Sequence, residues 1–173
     1  MPDPVSPGNT TPVHRNAGRV LLLDPDDRIL LLACRDPDRP DAEPWWITPG
    51  GGCEPGESHA DAAQREAREE TGFTDLTLGP HAWTRTHTFP WLDQLLTQHE
   101  HFFRCRTDQP QREPTTRFHT QDELLYLQGH RWWSIPEITT ARAAGTQFAP
   151  RQLDTLLADL FNNTTPLPRT IGP

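Results

Sequence analysis

Positive charge is scarce in this 173-residue chain: there is no lysine, all 16 basic residues are arginine, and 24 acidic residues leave a formal net charge of -8. That balance excludes a protein that tracks a nucleic-acid backbone, whose affinity comes from Lys and Arg displacing counterions. Cysteine is sparse as well. Cys34, Cys53 and Cys105 are an odd number, at spacings that match neither a zinc knuckle nor a disulfide framework, so idle thiols in a reducing cytoplasm are expected. No apolar run is long enough to span a bilayer, and Met1 to Ala17 lacks the apolar stretch of a signal peptide. These absences leave one domain with one active site, and neither a membrane nor a nucleic acid as partner. A small anionic substrate would need local help, such as a metal.

What is present divides the chain into three parts. Pro2, Pro4, Pro7 and Pro12 among small polar residues make residues 1–14 a flexible arm, and residues 162–173 read as a similar tail. Between them, Arg19 to Asp24 and Arg28 to Cys34 are Leu- and Val-rich strands joined by the turn chemistry of Pro25-Asp26-Asp27. A third strand, Trp45 to Thr48, runs into Pro49 and three glycines, where the chain is expected to loop. From His59 to Thr71 the composition turns to Ala, Glu, Arg and Gln, which predicts a helix capped by Ser58 and stopped by Gly72. Ala60, Ala63 and Ala67 share one face of it, so it should lie close to a sheet and leave its opposite face free for chemistry. Further strands are expected at His81 to Phe89, Gln98 to Arg106 and His130 to Ser134, and helices at Pro136 to Ala144 and Pro150 to Phe161. In the last helix Leu153, Leu156, Leu157 and Leu160 give the amphipathic spacing, with Pro150 in the first turn.

The informative stretch is Gly51-Gly52-Cys53-Glu54-Pro55-Gly56-Glu57, then seven residues, then Arg65-Glu66-Ala67-Arg68-Glu69-Glu70-Thr71-Gly72-Phe73. Glu66, Glu69 and Glu70 stand at i, i+3 and i+4, so their carboxylates project from one helical turn and repel each other. Arg65 and Arg68 offset only part of that repulsion. A divalent cation would turn it into coordination, and an all-oxygen cluster suits Mg²⁺ or Mn²⁺, whereas Zn²⁺ would call for His or Cys. The glycines before it let backbone approach a metal-phosphate centre closely. The alternative reading of a lone Glu-x-x-Glu-Glu is a solvated acidic helix after an ordinary turn.

The full spacing resembles the Nudix box: Gly, five residues, Glu, seven residues, Arg-Glu, a small or apolar residue, any, Glu-Glu, any, Gly, apolar, with every fixed position occupied. Trp46 to Gly51 also resembles the strand that leads into that box, and the order of elements resembles the family domain over residues 15–161. The resemblance implies an α/β fold: an α/β/α sandwich with a central mixed sheet and a loop-helix-loop box. It implies a hydrolase that uses Mg²⁺ or Mn²⁺ to activate water against a pyrophosphate linkage in a nucleoside diphosphate joined to another moiety. Alternatives are a pyrophosphatase for oxidised or noncanonical nucleoside triphosphates and a nucleotide sensor that does not turn its ligand over. A homodimer, which relatives often form, stays open.

By the same resemblance Glu66 and Glu70 are metal ligands, Glu69 is a ligand or the base for water, and the Gly51 carbonyl completes the sphere. Arg65 would orient the carboxylates. Glu57 supports the box by bonding Arg65 across the loop or by an outer-sphere metal contact, and Gly72 ends the helix. A further acid is expected from Glu100, Glu113 or Asp122-Glu123. Glu100 is favoured because Gln98 to Phe103 resembles the central strand that faces the metal helix, its alternative being a strand-surface carboxylate. His99 and His101 have the opposite side-chain parity to Glu100 and are not expected to share its metal. For the substrate, Trp45, Trp83, Trp91, Trp132 and Trp133 are candidate stacking surfaces, and Arg85 and His87 are candidates for a phosphate.

Overall fold

A computed structural model describes residues 11–35, 41–91, 94–115 and 125–172. The two Leu-rich runs form a hairpin of β1 (Val13–Leu23) and β2 (Ile29–Cys34), closed where Asp24 Oδ1 accepts from the Asp26 and Arg28 amides. To these are added β3 (Trp45–Ile47), β4 (Gly50–Gly52), β5 (Leu78–Trp91), β6 (Gln94–Arg106), β7 (Leu127–Trp133), β8 (Phe148–Ala149) and β9 (Arg169–Ile171). They make one mixed sheet in the order β8-β3-β2-β1-β6-β5-β9, with β4 on β1 and β7 on β2. The pairs β1 with β6, β3 with β8 and β5 with β9 are parallel and the rest antiparallel.

Among the described residues three helices sandwich the sheet: α1 (His59–Thr71) on one face, α2 (Ile135–Ala143) and α3 (Leu153–Phe161) on the other. Leu21 and Leu23 of β1 pack with Trp83, Phe102, Ile138 and the four leucines of α3, while the alternate residues Val20 and Leu22 pack with Ala63 and Ala67 of α1. Coverage of both faces is why β1 and β2 read as continuous apolar runs rather than as alternating ones. Among the described residues no helix is long and apolar enough to cross a membrane. Burial pushes the thiol of Cys34 up to about 12 and that of Cys105 to about 11, which keeps both protonated and unreactive.

Three local expectations are corrected. The glycine triplet after Pro49 pairs with β1 as strand β4, Gly18 opposite Gly51. The segment read as a tail from Asn162 carries β9, held by pairing with β5, by burial of Ile171 and by an Arg169–Asp159 ion pair of 2.8 Å. Helix α3 begins at Leu153, so Pro150 lies before its first turn, and no side chain caps it. The amphipathic spacing itself holds: Leu153, Leu156, Leu157 and Leu160 are all buried, each contributing about 2 kcal/mol of transfer free energy.

Helix α1 has the strongest local signals. Ser58 Oγ accepts from the Asp61 amide, and Gly72 turns left-handed at φ 73° while its N–H closes on Arg68 O. Its docking needs Gly18, because a Cβ there would strike the His59 carbonyl and come within 2.9 Å of Ala63 Cβ. At its first residue a ladder of imidazoles joins helix to sheet: His59 stacks on His101 of β6 at 3.8 Å, and His101 on His81 of β5 at 4.4 Å. Burial, with His59 and His81 alongside, pushes the His101 pKa down to about 4.

Two measurements follow from this packing. Gly18→Ala overfills the helix–sheet contact and should lower unfolding free energy by about 1–3 kcal/mol in urea denaturation; an unchanged midpoint would show that α1 is free to shift. Between pH 6.5 and about 4 the unfolded chain takes up a proton that folded His101 refuses, so stability falls as pH drops through that window. His101→Phe keeps a ring in the stack without the titration, and its melting temperature should fall less than that of the parent chain between pH 7 and pH 5.

Candidate active site

The box is built where α1 crosses β4. The glycines of β4 leave room for glutamates of the helix: a Cβ on Gly51 would lie 2.6 Å from both carboxylate oxygens of Glu66. One turn on, Glu70 Oε2 accepts from the Gly50 amide at 2.7 Å and the residue is only 4% exposed. Glu66 and Glu70 therefore do not occupy the free outer face of the helix that its alanine pattern suggests, while Glu69 stays partly exposed. Ala63 and Ala67 face the sheet interior, and Glu66 and Glu70 face the backbone of β4 beside them.

Arg65 is the electrostatic centre. Its fork grips Glu57, Nε to Oε1 at 2.9 Å and Nη2 to Oε2 at 2.8 Å, while Nη1 reaches Glu66 at 2.8 Å and Glu69 at 3.3 Å. Nη2 also donates to Gly52 O at 3.0 Å, which ties the loop to the helix. The Arg65 fork and the Glu54 N–H hold the Glu57 carboxyl down at about 2, and the Glu57 and Glu66 carboxylates raise the pKa of Arg65 in return. Glu57, Glu66 and Glu69 thus gather on this one guanidinium, and Glu70 stands beside them on the Gly50 amide. Gly72, the box's last fixed glycine, shapes the helix end; a Cβ there would strike the Thr115 side chain.

Among the described residues no three Asp, Glu, His or Cys side chains surround a common point as a ready ligand set. Glu66 and Glu69 lean on Arg65, and Glu70 on Gly50. The donors nevertheless fit a hard divalent cation in kind: carboxylate oxygens three and four residues apart on one helix, beside a strand without side chains. Next to them a cleft of about 270 Å³ is lined by Arg65, Arg68, Glu69 and Thr74.

Glu100 has other neighbours than expected. Alternation along β6 turns His101 toward α1, where it meets His59, and turns Glu100 to the opposite face with Phe102. There it is fully buried and bound by Arg19 Nε at 2.9 Å, Arg85 Nε at 2.5 Å and Gln98 Nε2 at 2.7 Å, with His87 Nε2 at 3.4 Å. Burial alone would raise its pKa, but Arg19, His87 and Arg85 together hold the carboxyl well below the ordinary range. It is neither a strand-surface carboxylate nor a member of the box cluster. Arg85 is likewise committed, 4% exposed against Glu100, so it does not meet a phosphate in this arrangement; His87 keeps 19% of its side chain exposed.

The tryptophans divide by burial. Trp132 is 6% exposed, packs in the core beside α1 and donates its indole N–H to Arg112 O, and Trp83 and Trp133 are core residues on the other face, so none of the three is an open stacking surface. Trp45 is half-buried at the end of β3 against Leu32, Cys34 and Leu127 and remains accessible. Glu113 is exposed and paired with His130 at 3.0 Å, far from isolation but away from Arg65's partners. Asp122, Glu123 and the Trp91 side chain lie outside the described residues.

Sequence reasoning passed over Arg19 and Gly18, and it took Gly50 only as part of the strand that leads into the box. Arg19 donates to Gly50 O at 2.5 Å as well as to Glu100, and Gly50 supplies the amide that holds Glu70. A signal existed: Arg19 shares parity with Leu21 and Leu23, an arginine entering a buried strand, which demands a buried partner.

Comparison with known proteins agrees with this geometry. A family model described as NUDIX domain matches residues 12–156. The chain is 49% identical over 52 residues to an uncharacterized Nudix hydrolase, YvcI, of Bacillus subtilis, a match spanning 30% of this chain and 29% of that protein. The fold is similar to the MutT protein of Methanosarcina mazei, with 18% identity, a TM-score of 0.60 and coverage of 90% and 98% of the two chains. It is also similar to the Ap4A hydrolase of C. elegans in a binary complex, with 17% identity, a TM-score of 0.58 and coverage of 87% and 97% of the two chains. A complete glycine-loop and glutamate-helix box, set within a domain-long family match, makes this chain a member of the Nudix hydrolase family.

Proposed function

We propose that the protein hydrolyses a pyrophosphate linkage in a nucleoside diphosphate joined to another moiety, with Mg²⁺ or Mn²⁺ held by Glu66, Glu69, Glu70 and the Gly51 carbonyl. The observation that carries this is the packing of Glu66 and Glu70 against the bare backbone of β4, with Arg65 gathering Glu57, Glu66 and Glu69 beside them. A bound divalent ion supplies charge neutralisation for the diphosphate and lowers the pKa of a coordinated water. The chain's own groups do the rest. Arg65 fixes Glu57, Glu66 and Glu69 relative to one another. Glu69, the most exposed of the box glutamates at 37%, stands on the cleft, where its role is either that of a ligand or that of the base for the attacking water. Arg68, on the same cleft, is available to a phosphate oxygen. Half-buried Trp45 and His87 are the accessible members of the residues nominated for the substrate. Solved structures of similar fold carry the names MutT and Ap4A hydrolase, and both names fit a nucleotide anhydride as substrate class.

The test is product analysis with Mg²⁺ and a panel of nucleoside diphosphate conjugates, dinucleoside polyphosphates and nucleoside triphosphates. A nucleoside monophosphate with a phosphorylated remainder is expected, and chelation should abolish turnover. Glu70→Gln should lower kcat/KM by about 100-fold or more, and Glu57→Gln, which acts through Arg65, by about 10–100-fold. Pyrophosphate as the main product would favour a triphosphate pyrophosphatase instead. Tight binding in calorimetry with no product from any compound would favour a sensor and sink the hydrolytic reading.

A further inference from the structure

We propose that Arg19 is a positioning residue of the box: anchored by buried Glu100, its guanidinium clamps the carbonyls that flank the Pro49–Gly50 peptide and so aims the Gly50 N–H at Glu70. The inference rests on the reading that Glu70 is a metal ligand and adds how that carboxylate is aimed.

Three consecutive carbonyls of the strand-to-loop corner are held by two residues of β1. Arg19 Nη1 donates to Thr48 O at 3.4 Å and to Gly50 O at 2.5 Å, and the Val20 amide donates to Pro49 O at 2.8 Å. The peptide between Pro49 and Gly50 is thereby fixed on both sides, and its N–H has one direction left, toward Glu70 Oε2 at 2.7 Å. The corner requires glycine: Gly50 sits at φ +135°, and a Cβ there would come within 2.7 Å of Arg19 Cα. A backbone bend of that kind has no stiffness of its own, so something outside it must choose its orientation.

Glu100 is suited to be the anchor and not a ligand. An ionised carboxylate offers about four acceptor sites. Here Oε1 takes Arg19 and Gln98, and Oε2 takes Arg85, with His87 beside it at 3.4 Å. The side chain is 0% exposed, and its two arginines are 15% and 5% exposed. A buried, multiply bonded ion pair of this type confers a unique geometry more than it confers stability. Through Arg19 that geometry passes from the central strand, across β1, to the glutamate of α1.

Arg19→Lys keeps a cation beside Glu100 but has no fork with which to hold both Glu100 and the carbonyls. Arg19→Met removes the clamp entirely and leaves the Arg85–Glu100 pair to balance itself, so it provides a second route if the lysine variant does not fold. The full chain is titrated with Mn²⁺ in the absence of substrate, with free Mn²⁺ read by its paramagnetic resonance signal, and the Gly50 amide is followed in the ¹⁵N-labelled protein. The expected result is an apparent Mn²⁺ Kd raised about ten-fold or more, faster hydrogen exchange at Gly50, and a recovery of kcat at saturating metal with substrate KM unchanged. A merely structural arginine would change the melting temperature without these effects. Mn²⁺ affinity within two-fold of the parent chain and an unmoved Gly50 amide in the folded variants would overturn the proposal. Glu70→Gln separates the two readings: if it weakens Mn²⁺ while the Arg19 variants do not, only the clamp is wrong, and if the parent chain binds no Mn²⁺ the metal reading itself fails.

Discussion

Concentrated negative charge at one helical turn is the constraint from which the architecture of this site follows. Four glutamates cannot lie together in a half-buried corner unless each has a donor, and the chain meets that demand with the Arg65 guanidinium, the Glu54 and Gly50 amides and a strand without side chains. Arg65 serves three carboxylates at once, which its fork permits and a lysine ammonium would not reproduce. The amide of Gly50 serves the fourth. The same gathering of carboxylates is the feature on which the proposed chemistry rests.

Close approach is the second requirement. The helix reaches the sheet because Gly18, Gly51, Ala63 and Ala67 present almost nothing between the two backbones. Small residues at a contact give up hydrophobic area, and the loss is made good on the other face, where Trp83, Phe102 and the leucines of α3 form the larger core. One side of the sheet is thus packed for stability and the other for proximity.

Much of this was legible in the order of residues. Helix α1 could be read to the residue, because Ser58 and Gly72 mark its ends by local chemistry that needs no tertiary context. The box could be read because its spacing is fixed, and the leucines of α3 because their period is. Other features depend on partners distant in the chain. Gly50–Gly52 has no side chains to declare a strand and becomes one only by lying against β1. The side of the sheet to which Glu100 points is not legible in the sequence, because parity along a strand gives only relative directions and the absolute one is set by where α1 docks. Trp132 and Trp133 sit side by side in sequence yet enter opposite cores, so an aromatic count could not separate packing from recognition.

The long pairing of β1 with β6 carries one more consequence. Val13–Leu23 runs parallel to Leu96–Arg106 in unbroken register, joining residues more than eighty positions apart. Parallel pairing of such distant segments must close a large loop before it gains contacts, which makes it a slow event in folding. The glutamate helix and its caps lie wholly inside that loop, and the sheet surface that the helix covers is complete only once the distant pairing has closed.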